Sequence, residues 1–145
     1  MGRKCARPFR ELAIRWDGNV AACCDDWRGE YRPSMDAVLD GSRPWVPLDL
    51  LNRETLELVL GRHDIAATPA QLDDLARAWH RLDPWPDAVA GLTRLRQVVR
   101  IGTLSNGNTA ALDAMARHGG LPWDVLLGAE VAQTYKPAPE LYLRN

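Results

Sequence analysis

The 145 residues include a single phenylalanine, three tyrosines and three cysteines, and their charges nearly cancel at a formal net of −1. Each shortage excludes something. So small a net charge gives no field that gathers nucleic acid or holds the chain on an anionic membrane. No apolar run in the sequence approaches the roughly 18 residues that a membrane-spanning helix needs. Cys5, Cys23 and Cys24 are odd in number, include an adjacent pair and form no CxxC motif. Neither a disulfide framework nor a zinc site is expected from them, and a reducing cytoplasm is the expected setting. The basic opening, with Arg3, Lys4, Arg7, Arg10 and Arg15, is not followed by the apolar core of a secretory signal. Ala6 occupies the position where a myristoylation signal has serine or threonine.

What is present is 46% hydrophobic residues, enough to build the core of one domain at this length. From residue 25 the sequence reads as helices with clear punctuation. Asp25 and Asp26 can cap a helix carrying Trp27, Tyr31, Met35 and Val38, with Gly41 as its stop and Pro33 as a kink or break. A second helix is expected over about 50–60, with Asp49 as cap and Gly61 as terminator. The third has the plainest signal. Thr68-Pro69-Ala70-Gln71 is a capping box with proline at the first helical position, and Leu72, Leu75, Ala76 and Trp79 recur on one face. Asp83-Pro84-Trp85-Pro86 ends that pattern, and a further helix starts near Asp87 with Val89, Leu92 and Leu95 on one side.

Beyond it the periodicity changes. Residues 98–104 and 125–131 read as buried strands, residues 108–118 as a helix ended by Gly119-Gly120, and Pro137 as the start of another. Strand, helix, strand, helix at this spacing predicts a parallel α/β unit. The chain is therefore expected to divide into an unmatched segment over 1–24, a helical module over 25–85 and an α/β module over 86–145. Two parallel strands alone make a poor sheet.

In open α/β sheets ligands bind beyond the carboxyl ends of the strands, where helix N-termini present unpaired amides. Ser105 and Asn106 fall at such an end, and with the Gly107 and Asn108 amides they can donate hydrogen bonds to a carboxylate or phosphate. The same residues also read as an Asn-Gly turn followed by an N-cap, which local features alone favour. Lys136 follows the second expected strand, directly before Pro137, and brings a cation to the same edge. The pairing of Ser-Asn at one strand end with Lys-Pro at the next is more specific than either alone.

With Trp27-Arg28-Gly29-Glu30-Tyr31-Arg32, Ala78-Trp79-His80-Arg81-Leu82-Asp83-Pro84-Trp85-Pro86-Asp87, Leu104-Ser105-Asn106-Gly107-Asn108, Leu121-Pro122-Trp123-Asp124, Gly128-Ala129-Glu130-Val131 and Tyr135-Lys136-Pro137-Ala138-Pro139-Glu140, the chain over about 25–145 resembles the haloacid dehalogenase superfamily, and within it the L-2-haloacid dehalogenases. The resemblance implies an α/β fold, a partial Rossmann-like core with a helical cap domain. It implies hydrolysis of 2-haloalkanoic acids to 2-hydroxy acids, in which an aspartate displaces halide to form an ester that water cleaves. Ser105 and Asn106 then look like contacts to the substrate carboxylate and the halide side. Lys136 looks like the cation that keeps the nucleophile ionised, Arg28 like the halide-binding arginine, and Tyr142 like an active-site tyrosine. A small-molecule 2-haloacid is the implied partner, with no cofactor or metal, and a homodimer is admitted.

The opening departs from that pattern. The family begins with a buried strand ending in aspartate and a Gly-Thr pair a few residues on. Residues 1–24 have neither, and Asp17 follows a short charged lead-in and lies only 11 residues before Arg28. The nucleophile is therefore left unassigned, a frameshifted or truncated gene is expected, and little or no turnover is expected of the chain as written. Two rival readings stand beside this one: a Mg2+-dependent phosphatase of the same superfamily, and a non-catalytic binding module. The Trp27-Arg28 pair and Tyr142 favour the dehalogenase, because a cap arginine suits halide and carboxylate better than metal chemistry.

Overall fold

The computed structural model describes residues 24–145, with side chains from residue 32 onward. Six α-helices and one 3-10 helix follow in order among the described residues: α1 (Cys24–Leu39), α2 (Leu48–Arg62), α3 (Pro69–Ala76), the 3-10 helix (Arg77–Arg81), α4 (Ala88–Arg96), α5 (Thr109–Gly119) and α6 (Pro139–Arg144). Residues 1–24, with Asp17, lie outside the described residues apart from Cys24, as do the side chains of Trp27 and Tyr31.

Helix α1 continues through Pro33 rather than breaking there, losing one backbone bond that proline cannot donate. Its end is set at Gly41, whose φ of 80° is strained for any residue with a Cβ. Helix α2 starts before the position expected from Asp49. Pro47 holds the N-cap place without a side-chain bond, Asp49 falls inside the first turn, and Gly61 is helical rather than terminal. The buried face of α2 carries Leu51, Thr55, Leu56, Val59 and Leu60, and the Thr55 hydroxyl is satisfied by donating to the Leu51 carbonyl at 2.9 Å.

The capping box forms as expected at the start of α3. The Gln71 amide donates to Thr68 Oγ1 at 3.3 Å, and the Thr68 amide donates to Gln71 Oε1 at 2.8 Å. Leu72 and Leu75 pack half-buried against Leu56, Leu60 and Ala76. The regular helix ends at Ala76, and a 3-10 turn carries Trp79 and His80 onward, so Trp79 leaves the register of a continuous helix. Helix α4 buries none of its residues, and Leu95 is exposed.

The two expected strands are shorter than their apolar runs and do not form a regular sheet among the described residues. Val98 and Val99 belong to the turn that closes α4, where both amides donate to the Leu95 carbonyl, and both side chains are exposed. Pairing begins only at Ile101 and consists of one parallel bridge, Gly102 with Val125. The Thr103 amide donates to the Val125 carbonyl and the Ser105 amide to the Leu127 carbonyl, each at 3.1 Å. Between these rungs the Leu127 amide bonds the Thr103 hydroxyl at 2.9 Å instead of a backbone carbonyl, and this side-chain substitution interrupts the ladder. Residues 129–134 turn rather than extend, with the Gln133 amide donating to the Ala129 carbonyl at 2.8 Å.

Helix α5 stops where Gly120 turns left-handed at φ 62°, as the Gly119-Gly120 pair predicts. Helix α6 begins at Pro139, two residues later than expected from Pro137. The Ala138 amide donates to the Tyr135 carbonyl at 3.0 Å, closing a turn first. One core cluster joins early and late parts of the chain: Met35, Leu51, Ala129, Ala132, Tyr135 and Leu141 pack together with Trp45, Leu48 and Leu104 against them. Leu51, Tyr135 and Leu141 are fully buried, and burying a side chain such as Leu51 or Leu141 contributes about 1.5–3 kcal/mol.

Candidate functional site

The end of the extended segment 101–105 is held by hydrogen bonds that use the very groups expected to form an anion cradle. The Gly107 amide donates to Ser105 Oγ at 3.0 Å, a turn in which a serine hydroxyl stands in for a carbonyl. That amide is therefore already engaged. At the start of α5, Glu130 lends its carboxylate: the Thr109 amide donates to Glu130 Oε2 at 2.9 Å, and the Thr109 hydroxyl also bonds it. A negative charge at a helix N-terminus is stabilised by the unpaired amides there. Asn108 occupies the N-cap position without capping. Of the two local readings of Ser105-Asn106-Gly107-Asn108, the turn is formed, and the cap is supplied by a residue 21 positions away.

The next residues tie this turn to the one before α6. Asn106 Oδ1 accepts the Lys136 backbone N–H at 2.7 Å, while its Nδ2 points toward the Met35 thioether at 4.0 Å. The Lys136 ammonium donates to the Leu104 carbonyl. Lys136 thus bonds the residues on both sides of Ser105, Asn106 through its backbone N–H and Leu104 through its ammonium. An ammonium has three donors and a serine hydroxyl one. The bonds above use one of the Lys136 ammonium's donors, and in them Ser105 Oγ only accepts.

Of the residues singled out in the sequence, Asn106 and Lys136 are joined by a hydrogen bond, and Ser105 precedes Asn106 in the chain. Tyr142 stands on α6, 51% exposed, and none of the hydrogen bonds that tie these three residues involves it. The Arg28 side chain lies outside the described residues, although its backbone belongs to α1. No three His, Cys, Asp or Glu side chains among the described residues come together as metal ligands, and no helix among them is long and apolar enough to cross a membrane.

Two features escaped the sequence reading. Asp124 Oδ2 accepts the Ile101 amide at 2.9 Å, and its Oδ1 accepts Arg96 Nε at 2.7 Å. The Ile101 amide, and then the Arg96 guanidinium, hold the Asp124 carboxyl below the usual carboxylate range. This pins the start of the segment that leads to Ser105. Asp49, expected as a cap, accepts Asn108 Nδ2 at 3.0 Å and bonds His80 Nε2 at 2.9 Å. Nothing in local periodicity signals that contact, because its partners lie 59 and 31 residues away.

Asn106 and Lys136 are thus tied together at the end of a segment that pairs in parallel with residues 125–127 and stands beside α5. Residues 9–145 match the haloacid dehalogenase-like hydrolase family, and the chain belongs to it. Among curated proteins it is 33% identical to the (S)-2-haloacid dehalogenase of Xanthobacter autotrophicus over 94 residues, 63% of this chain and 37% of that protein. Among solved structures it resembles a defluorinating L-2-haloacid dehalogenase at 51% identity and a TM-score of 0.80, covering 83% of this chain and 50% of that one. It also resembles the L-2-haloacid dehalogenase of Xanthobacter autotrophicus with chloropropionic acid covalently bound, at 29% identity and a TM-score of 0.73, over 81% of this chain and 48% of that one. The chain spans about half the length of these structures.

Proposed function

We propose that this chain carries the substrate-binding wall of an L-2-haloacid dehalogenase, acting on the (S) enantiomers of small 2-haloalkanoic acids to give 2-hydroxy acids. The observation that carries the reading is the double grip of Lys136 on the Ser105 loop: its amide to Asn106 at 2.7 Å and its ammonium to the Leu104 carbonyl. On this reading the Ser105 hydroxyl and the Asn106 amide orient the substrate carboxylate, with C2 facing the nucleophile. Lys136 lowers the energy of the negative charge gathered there.

In the reaction a carboxylate oxygen attacks C2 from the side opposite the halogen, the carbon–halogen bond breaks, and halide leaves with the bonding electron pair. Water then adds to the ester carbonyl, and the acyl–oxygen bond breaks to release the 2-hydroxy acid and restore the carboxylate. The relative with chloropropionic acid covalently bound supports an ester route. Arg28 is the halide-side cation and Tyr142 a further substrate contact in this scheme. Residues 25–85 act as the helical cap and 86–145 as part of a Rossmann-like core, joined through the Met35–Leu51–Tyr135–Leu141 cluster. The setting is cytoplasmic, and a homodimer is the proposed assembly.

No aspartate in residues 1–24 sits in the family's opening motif, so the nucleophile stays unassigned and the 145 residues are expected to bind haloacid with weak turnover or none. Calorimetric titration of (S)-2-chloropropionate into the chain and into Lys136→Met tests this. Saturable binding by the parent, lost in the variant, supports the reading. Equal heats from both chains overturn it.

A further inference from the structure

We propose that Asp49 and His80 are positioning residues: they fix Asn108 and, through it, the Ser105-Asn106-Gly107 turn. Asn108 is buried, 6% exposed, yet its side chain does not cap its own helix. Glu130 takes that role at the Thr109 amide, which leaves the Asn108 amide group to face α2. There it makes a two-point contact. Asn108 Nδ2 donates to Asp49 Oδ2 at 3.0 Å, and Asn108 Oδ1 accepts the Asp49 backbone N–H at 3.3 Å. A carboxylate offers only acceptors and a backbone N–H only a donor, so the orientation of the Asn108 amide is dictated by its partner.

The second Asp49 oxygen is held by His80 Nε2 at 2.9 Å, on the 3-10 helix that packs against α5. The His80 side chain is 16% exposed and the Asp49 side chain 34%, so the bond is partly shielded from competing water. Asp49 on α2 therefore links His80 of the 3-10 helix to Asn108, the residue that ends the Ser105 turn. Loosening Asn108 frees the exit of that turn and weakens two bonds that define it, Gly107 N–H to Ser105 Oγ and Lys136 N–H to Asn106 Oδ1. That the turn meets substrate rests on the function proposed above; that Asp49 holds the turn does not.

A donor–acceptor swap tests the inference. Asn108→Asp sets two carboxylates face to face. Adding Asp49→Asn restores a matched pair of opposite polarity, and the new amide oxygen still serves His80. Amide hydrogen exchange is measured in the full chain at Gly107 and Lys136. The single variant is expected to raise exchange at both by about tenfold or more, and the double variant to return it to within about threefold of the parent. The Leu72 amide of α3, bonded to the Thr68 carbonyl at 3.0 Å, is expected to hold its rate throughout, which separates local loosening from loss of the fold. If Asn108→Asp fails to fold, His80→Ala against His80→Gln serves instead, since glutamine retains a donor and should exchange like the parent.

Unchanged exchange in Asn108→Asp, or no recovery in the swap, overturns the positioning role, as does His80→Ala exchanging like His80→Gln. Titration with 2-chloropropionate runs alongside, with a loss of affinity in the single variant and recovery in the swap expected. A parent chain that binds none of it overturns the proposed function, and the exchange rates still decide for or against Asp49.

Discussion

The backbone N–H of Lys136 donates to Asn106 Oδ1 at 2.7 Å, so the turn before α6 and the loop before α5 hold each other in place. The Lys136 ammonium in turn donates to the Leu104 carbonyl, so the same lysine bonds the loop on either side of Ser105. If this is the substrate wall proposed above, its donors are held by the fold before any ligand arrives, which lowers the cost of binding.

Asn106→Ala removes the acceptor for the Lys136 amide. A stability loss of about 1–3 kcal/mol is expected, the usual cost of leaving a part-buried N–H without its partner. Haloacid affinity should fall with it. Urea denaturation checks the first part; a variant as stable as the parent would mean that water replaces the bond.

Gly128 faces the same loop from the other paired segment. A Cβ there would stand 2.5 Å from the Gly107 carbonyl oxygen, which is backbone and cannot swing aside. Gly128→Ala is expected to cost about 1–3 kcal/mol, because the two segments must part. The Ala129 amide, which donates to that carbonyl at 3.3 Å, should then exchange faster with solvent. Wild-type exchange at Ala129 would contradict this.

Asp124 gives a pH dependence of defined sign. Its folded-state pKa lies below the ordinary value through the Ile101 amide and then Arg96. The stability it contributes is present above the unfolded carboxylate pKa, about 3.9, and is lost as pH falls through the folded one. Asp124→Asn should therefore melt below the parent near neutral pH, with the gap closing in acid. A gap that is constant with pH would rule out the carboxylate as its source.

Thr68→Ala removes the hydroxyl that accepts the Gln71 amide, at an expected cost of about 1 kcal/mol. Thermal melts of the parent and variant measure it. Equal midpoints would mean that α3 is held by its packing on Leu56 and Leu60 rather than by its cap.

The capping box and the Gly120 terminator were legible because each is written within a few adjacent residues and formed as read. Asp49 was misread for the complementary reason. An aspartate before an apolar run has the local form of a cap, and only tertiary contact reveals that its partners are Asn108 and His80. The strands were overextended because Val98 and Val99 are β-branched and apolar, yet they close α4 by turning back onto Leu95. Thr103, which reads as an ordinary strand residue, breaks the ladder through its hydroxyl. Asn106 and Lys136, which the sequence puts at one edge of an α/β unit, do meet through the Lys136 backbone N–H; their roles toward a substrate belong to the proposal. The capping Glu130 was not legible, since a glutamate 21 residues after Thr109 carries no local sign of where it will fold.

The most direct test of the central claim is a titration of (S)-2-chloropropionate into the 15N-labelled chain, followed at the backbone amides of Gly107 and Lys136. Binding at the Ser105-Asn106-Lys136 wall requires both signals to shift together and saturate with a single affinity, while amides of α3 stay where they were. Shifts confined to other parts of the chain, or no saturable shift at these two amides, would contradict it.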